Sequence, residues 1–329
     1  MMGRWLCYLL ALVGALAFRV AYTGWLAGVV FALVLCFPLM GLAAALPGVL
    51  TGRLVLTAAE PRKERGQSAG WIVAGESPLG LPLGRIKVTV RTQNVLTGQE
   101  KKKKQTWFCP GEGGKVYIPA PSDHCGLLEG KLIHAWAADS LGLFWLPLRR
   151  KGTARQWIFP LSQSRDLPPI PQEEAPGLRP RPGGGPGEDY DPRQYRPGDP
   201  LSSIHWKLSA KRDELVTRET LETVRTLPLL SFDCFGDPDT LDQTLDLLSG
   251  VSTALLGENR PHAVTWADPV TGELRRFSVD GEGQQILCLE AILSRNAPLN
   301  GRSVLDEAHL DHTLHLKPVG SPGVGGDPP

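Results

Sequence analysis

The residues with the most chemistry to offer sit in three places. Asp233-Cys234-Phe235-Gly236-Asp237, followed by Asp239, puts three carboxylates at the end of an apolar run over residues 227–232 that reads as a buried strand. Ligands of open α/β sheets bind beyond the carboxyl ends of strands, and carboxylate oxygens are hard ligands for divalent cations. Asp233, Asp237 and Asp239 are therefore candidate ligands of a divalent cation in a metal-dependent hydrolase or transferase. Asp237-Pro238 is also a helix start, which competes for the Asp237 carboxylate. His309, His312 and His315 lie among Asp306, Glu307 and Asp311. A spacing of three drifts around a helix and alternates faces on a strand, so they read as surface histidines. Lys101, Lys102, Lys103 and Lys104 form a charge run expected at a hairpin tip, as a solvated loop or as a contact for anionic lipid. No C-x-x-C or G-x-x-x-x-G-K-[ST] occurs, so zinc frameworks and P-loop nucleotide sites lack their signatures.

The densest local pattern is EDYDPRQYRPGDPLSSIHWKLSAKRDELVTRET, residues 188–220. Arg196-Pro197-Gly198-Asp199-Pro200 is turn chemistry, with proline fixing one dihedral and glycine free to take positive φ. Asp199 before Pro200 predicts a helix start, and the helix is expected over 200–211. Leu201, Ile204 and Leu208 would share one face, and Lys207 and Lys211 another. After Arg212-Asp213-Glu214, residues 215–219 read as a strand. Neighbours on a strand point to opposite faces, so Arg218 and Glu219 do not pair with each other. A bidentate fork from Arg218 to the Asp199 carboxylate is expected to fix the turn against the strand.

Tyr195, Pro197, Gly198, Asp199, Ile204, Trp206, Ser209, Ala210, Leu215, Arg218 and Glu219 follow the order Y-x-P-G-D…I-x-W…S-A…L-x-x-R-E. Over this stretch the chain resembles the family called domain of unknown function 58, with Lys211-Arg212 standing where many members have one arginine. The resemblance implies a bacterial source, two membrane helices, a β-rich domain and a von Willebrand factor A-like domain. It also implies a MoxR-type AAA ATPase as partner, met through the turn and basic helix, to which His205, Lys207 and Arg212 belong. Von Willebrand factor A domains usually carry D-x-S-x-S at the strand end. Here Phe235 stands at the first serine and cannot ligate, while Asp237 stands at the second.

These residues need elements to position them. The chain has 329 residues, net charge +1 and 42% hydrophobic content, which gives no global electrostatic reason to bind nucleic acid. The expected order begins with a transmembrane helical hairpin over 1–50. Residues 5–18 and 20–50 are apolar around Arg19, and a spanning helix needs about 20 such residues. Arg4, the apolar core and Ala15-Leu16-Ala17 offer a cleaved-signal alternative, but hydrophobicity continuing to Leu50 favours the hairpin. Arg53, Arg62, Lys63 and Arg65 follow the second run, against only Arg19 between the two, so both termini are expected in the cytoplasm.

Residues 51–160 carry about seven short strand signals, including Arg85-Ile86-Lys87-Val88-Thr89-Val90-Arg91 with its alternation, and suggest an immunoglobulin- or fibronectin-like β-sandwich. Residues 161–187 read as a Pro/Gly-rich linker. Residues 188–317 hold the signature and an α/β unit of alternating strands and helices, and 318–329 a disordered tail. Six scattered cysteines fit a reducing compartment. Together these readings give a membrane-anchored, non-enzymatic interaction protein with no cofactor. The alternatives are the metal-dependent enzyme and an anionic-lipid binder acting through its lysine run.

Overall fold

The computed structural model describes residues 2–110, 113–162, 177–180, 190–224, 227–307 and 313–317. Two apolar N-terminal helices lead into a mixed α/β, sheet-rich body. Helices α1 (Met2–Ala21) and α2 (Trp25–Thr51) are both long and apolar enough to cross a membrane. They are joined by Tyr22-Thr23-Gly24 and run side by side, with the Arg19 guanidinium near Gly28. With 27 residues, α2 is about 40 Å long, so it outruns α1 by roughly two turns. It ends one residue past Leu50, where the apolar run stops.

After Gly52 the chain enters strands with no linker. Ten of them follow: β1 (Arg53–Ala58), β2 (Arg62–Glu64), β3 (Ala69–Glu76), β4 (Gly84–Asn94), β5 (Glu100–Cys109), β6 (Lys115–Ala120), β7 (Gly126–Ala138), β8 (Trp145–Pro147), β9 (Arg149–Lys151) and β10 (Thr153–Phe159). One sheet is ordered β6-β3-β1-β9 and the other β2-β10-β7-β4-β5, with β8 added to β7. Apolar residues at alternate positions, such as Leu54, Leu56, Ile86, Val88, Leu128 and Ile158, meet in one core shared by both sheets. Trp71 is fully buried there. Its indole donates to Thr92 Oγ1 at 2.8 Å, tying β3 to β4 of the other sheet. The four lysines lie inside β5, opposite Thr92 to Thr89 of β4, and not at a hairpin tip. As β5 is a sheet edge, charge there discourages pairing with another chain.

The hairpin tip, Val95-Leu96-Thr97-Gly98-Gln99, has one buried apolar member. Leu96 is fully buried, and it packs not in the β core but among the residues of the C-terminal α/β unit. Cys125, Trp157 and Phe159 join it. That unit consists of β14 (Leu229–Phe232), α4 (Pro238–Gly257), β15 (His262–Ala267), β16 (Leu274–Val279), α5 (Glu282–Leu293), α6 (Val304–Glu307) and β17 (Thr313–Leu316). Its sheet runs β16-β15-β14-β17, parallel except for β16. Leu241, Leu245, Leu248, Val251 and Leu255 stripe α4 as their spacing predicts.

Between the two along the chain comes a small antiparallel sheet, β11 (Gly177–Pro180), β13 (Val216–Val224) and β12 (Tyr190–Gln194), with β13 central. β11 falls inside the expected linker, so that part of it is a strand. Both edge strands contain proline, which a sheet tolerates only at its edges. The signature thus has its own sheet, separate from the α/β sheet among the described residues. The expected helix over 200–211 is divided. Leu201–Ser203 is a 3-10 turn, Ile204 is extended to bridge Thr217, and α3 covers only Trp206–Arg212. Satisfying the edge of β13 outweighs continuing the helix. The expected tail at 318–329 lies outside the described residues, as do His309 and His312.

Candidate functional site

The signature segment is a braced turn with an exposed crest. Asp199 accepts both arms of a guanidinium, but the arginine is Arg193 of β12, at 2.9 Å to each oxygen. It also accepts the Arg196 N–H at 2.9 Å, while its own N–H donates to the Arg196 carbonyl at 3.0 Å. The expected fork from Arg218 is therefore replaced. Arg218 sits opposite Pro192 in the β12–β13 ladder, whereas Arg193 lies six residues from Asp199 and reaches it locally. The Arg193 guanidinium, then the Arg196 N–H, hold the Asp199 carboxyl below its ordinary value. Pro197 and Gly198 close the turn, with Gly198 at φ +111°. Asp199 caps no helix, because the cap of α3 is His205, whose Nδ1 accepts the Leu208 N–H at 3.2 Å.

The rest of the signature explains itself by position. Tyr195 N–H donates to the Leu215 carbonyl, and His205 N–H to the Val216 carbonyl. Ser209 is buried and accepts the Val216 N–H at 2.9 Å while donating to the His205 carbonyl. Ile204 is buried against β13. Asp213 ends α3 in the left-handed conformation. Glu219 faces Asp191 in the strand register. Trp206 is 64% exposed and Leu201 67%, with Lys207, Lys211 and Arg212 exposed beside them. The inward-facing members build the frame and the outward-facing ones form the surface.

The three aspartates of the other candidate site do not converge. Asp233 accepts from the Ser303 hydroxyl at 3.0 Å and the Val304 N–H at 3.0 Å, which fixes the start of α6. Burial pushes its carboxyl up, yet the neighbouring His315 imidazole and the hydrogen bonds from Val304 and Ser303 outweigh this and leave it below the ordinary value. Asp237 caps α4, accepting the Asp239 N–H. Asp239 turns to His124, 3.8 Å away. Among the described residues the only cluster of three ligand atoms within 4.8 Å is His124, Asp239 and Asp242. Arg65 bonds Asp242 at 3.3 Å. A guanidinium already neutralises that carboxylate, so the cluster is an ion-pair network. Ser231, His315 and Asp233 stand in serine–histidine–aspartate order, with Ser231 Oγ 3.0 Å from His315 Nδ1 and His315 Nε2 3.7 Å from Asp233. Ser231 is fully buried, which denies it a substrate.

That network is the seam between the β region and the α/β unit. Arg65 reaches both Asp242 and Asp246 of α4. Asp242 also accepts the Cys125 N–H at 2.8 Å and lies 2.9 Å from His124 Nδ1. Asp246 accepts the Leu161 N–H at 2.7 Å. Burial raises the Asp246 carboxyl, partly offset by Leu161 and Arg65. Sequence reasoning passed over these residues. The available signal was two carboxylates, four apart, beside the apolar stripe of α4, where buried acids require a partner. None of the six cysteines forms a disulfide. Burial pushes the Cys234 and Cys288 thiols up to about 12, which leaves them unreactive.

No protein-family model and no curated protein matches this chain. Among solved structures, it is similar to the Pseudomonas fluorescens alkylpurine DNA glycosylase AlkC bound to DNA containing an abasic site analog, at 14% identity and a TM-score of 0.22. The match covers 40% of this chain and 38% of that one. A likeness of that size carries no argument about fold or function.

Proposed function

We propose that this chain is a membrane-anchored interaction protein that displays the crest of its signature segment to a cytoplasmic protein partner. The observation that carries the reading is Trp206, 64% exposed on a helix whose underside is fixed by Ser209 and His205. An exposed tryptophan is costly to leave in water and is a favoured anchor of protein interfaces. Lys207, Lys211 and Arg212 around it suit an acidic rim on the partner. In this reading α1 and α2 span the membrane, and the cationic residues after α2 hold the body in the cytoplasm. The shared two-sheet core supports an immunoglobulin-like sandwich, and the three parallel strands beside α4 support a reduced von Willebrand factor A-like unit. The family resemblance of the signature makes a MoxR-type AAA ATPase the partner to test. The lysine run of β5 is poorly placed for lipid. Thr89, opposite Lys104, the lysine of the run nearest the helices, is five residues along β4 from Gly84, or about 17 Å from the helix end of the sheet, beyond a Debye length of about 8–10 Å.

The test is co-purification of the detergent-solubilised full chain with a MoxR-type AAA ATPase from the same source. Trp206→Ala and Lys207→Ala/Lys211→Ala are expected to lose the partner while keeping wild-type circular dichroism, and Lys103→Ala to retain it. Undiminished recovery by both crest variants would remove the crest as the contact.

A further inference from the structure

Resting on the membrane-anchored reading, we infer that the soluble body has its own seat in the bilayer interface, formed by the loop between β7 and β8 and the loop between β3 and β4. The first loop contains Ser140-Leu141-Gly142-Leu143-Phe144 and reaches back alongside both helices. The Trp5 indole donates to the Leu143 carbonyl at 3.2 Å, and the Arg4 guanidinium to the Leu141 carbonyl at 3.5 Å. Phe144 packs edge-on to Trp5, with ring centroids 5.7 Å apart. On the other helix, the Leu141 side chain lies 3.3 Å from the Cβ position of Gly41.

These contacts fix a depth. Arg4 is a charge and Trp5 an interfacial aromatic, so the start of α1 belongs at the headgroup level. Gly41, at the same level, is ten residues before Thr51, so α2 continues about 15 Å further. The loop thus lies at the level where α1 enters the bilayer, well past the point where α2 meets β1. An irregular segment at that depth needs its polar backbone groups satisfied by protein, and Arg4 and Trp5 do this for two of its carbonyls. The segment of α2 beside the body is still lipid-like on its outer face, where Leu50 is 61% exposed. Leu79 of the second loop is also 61% exposed, while Leu81 and Pro82 of that loop pack on Gly48 of α2. Gly48 is seven residues, about 10 Å, beyond Gly41, so an interfacial layer of that thickness above the Arg4 level reaches both Leu79 and the turn of α2 that carries Leu50. The arrangement seats the sheets against the membrane and points the Leu96 end, with the α/β unit, away from it.

The experiment uses the full chain with Cys7→Ala and Cys36→Ala, reconstituted in phospholipid vesicles containing lipids with a nitroxide near the top or near the end of the acyl chain. An environment-sensitive fluorophore is placed in turn on Ser140→Cys, Leu79→Cys, Lys103→Cys and Val13→Cys, all at exposed positions. Quenching at 140, 79 and 13, with none at 103, is expected. Quenching at 13 without quenching at 140 and 79 overturns the interfacial seat and leaves the helical anchor standing. No quenching at 13 overturns the anchored reading and the seat with it.

Discussion

Arg65 and Arg193 each grip carboxylate oxygens, in opposite surroundings. Arg193 and Asp199 are six residues apart, and both remain in partial contact with water. Arg65 reaches 177 and 181 residues along the chain to Asp242 and Asp246, and the Asp242 side chain is only 1% exposed. The local pair shapes one turn. The distant one joins two units that sequence composition separates, in the place where Leu96 also crosses between them. A display surface can be braced with solvated charges, whereas a seam that buries charge must complete its pairing or fail.

The largest expected effect follows from that difference. Arg65→Ala leaves Asp242 and Asp246 without their cation, and removing one partner of a buried pair costs roughly 3–5 kcal/mol. Arg65→Met, which keeps bulk but not charge, should lose nearly as much. Denaturant unfolding of the detergent-solubilised chain, followed by tryptophan fluorescence, measures both. If Arg65→Met stays within about 1 kcal/mol of wild type, the size of an exposed ion pair, the seam is no different in kind from the turn.

The next effect separates the α/β unit from the turn by pH. His262 is buried, with Ser252 Oγ 2.8 Å from its Nε2. Burial lowers its affinity for a proton, although the Arg260 carbonyl and Asp280 act the other way. Below about pH 6.5 the unfolded histidine takes a proton that the folded one refuses. Stability therefore falls as pH drops from about 6.5 towards the depressed folded value, by at most about 1.4 kcal/mol per pH unit. The difference in unfolding free energy between wild type and His262→Gln should shrink across this window on acidification. A difference that stays constant from pH 7.5 to 5.5 would show that His262 is not the titrating group.

What was legible in the sequence was what depends on periodicity. The apolar runs became α1 and α2, alternation placed Ile86, Val88 and Val90 in a core, and the leucine stripe became the buried face of α4. What escaped depends on choices among partners. Asp199 has several arginines within reach in sequence, and only the β12–β13 register decides that Arg193 takes it. Asp233, Asp237 and Asp239 are close along the chain but leave the strand end in different directions, towards Ser303, the α4 cap and His124. Leu96 reads as an ordinary residue before a Thr-Gly turn, because nothing local signals that its neighbours come from a unit more than a hundred residues away.

The smallest expected effect tests the local half of the comparison. Arg193→Ala removes the fork from a turn at the surface, so global stability should hardly change. The amides of Arg196 and Asp199, which close the turn, should exchange faster with deuterium. Arg193→Lys should behave like Arg193→Ala, since a single ammonium cannot supply two parallel N–H bonds. Arg218→Ala should leave these two amides at their wild-type rates. Acid should imitate the Arg193 variants. The Asp199 carboxyl is held below its ordinary value by Arg193 and the Arg196 N–H, so the brace is fully present above about pH 3.9 and is lost as pH falls through the depressed folded value. The crest at Trp206 rides on this turn through Pro200 and Ile204, so a loosened turn should weaken partner binding in a chain that remains folded. Faster exchange in Arg218→Ala, with wild-type exchange in Arg193→Ala, would return the fork to Arg218 and break the comparison.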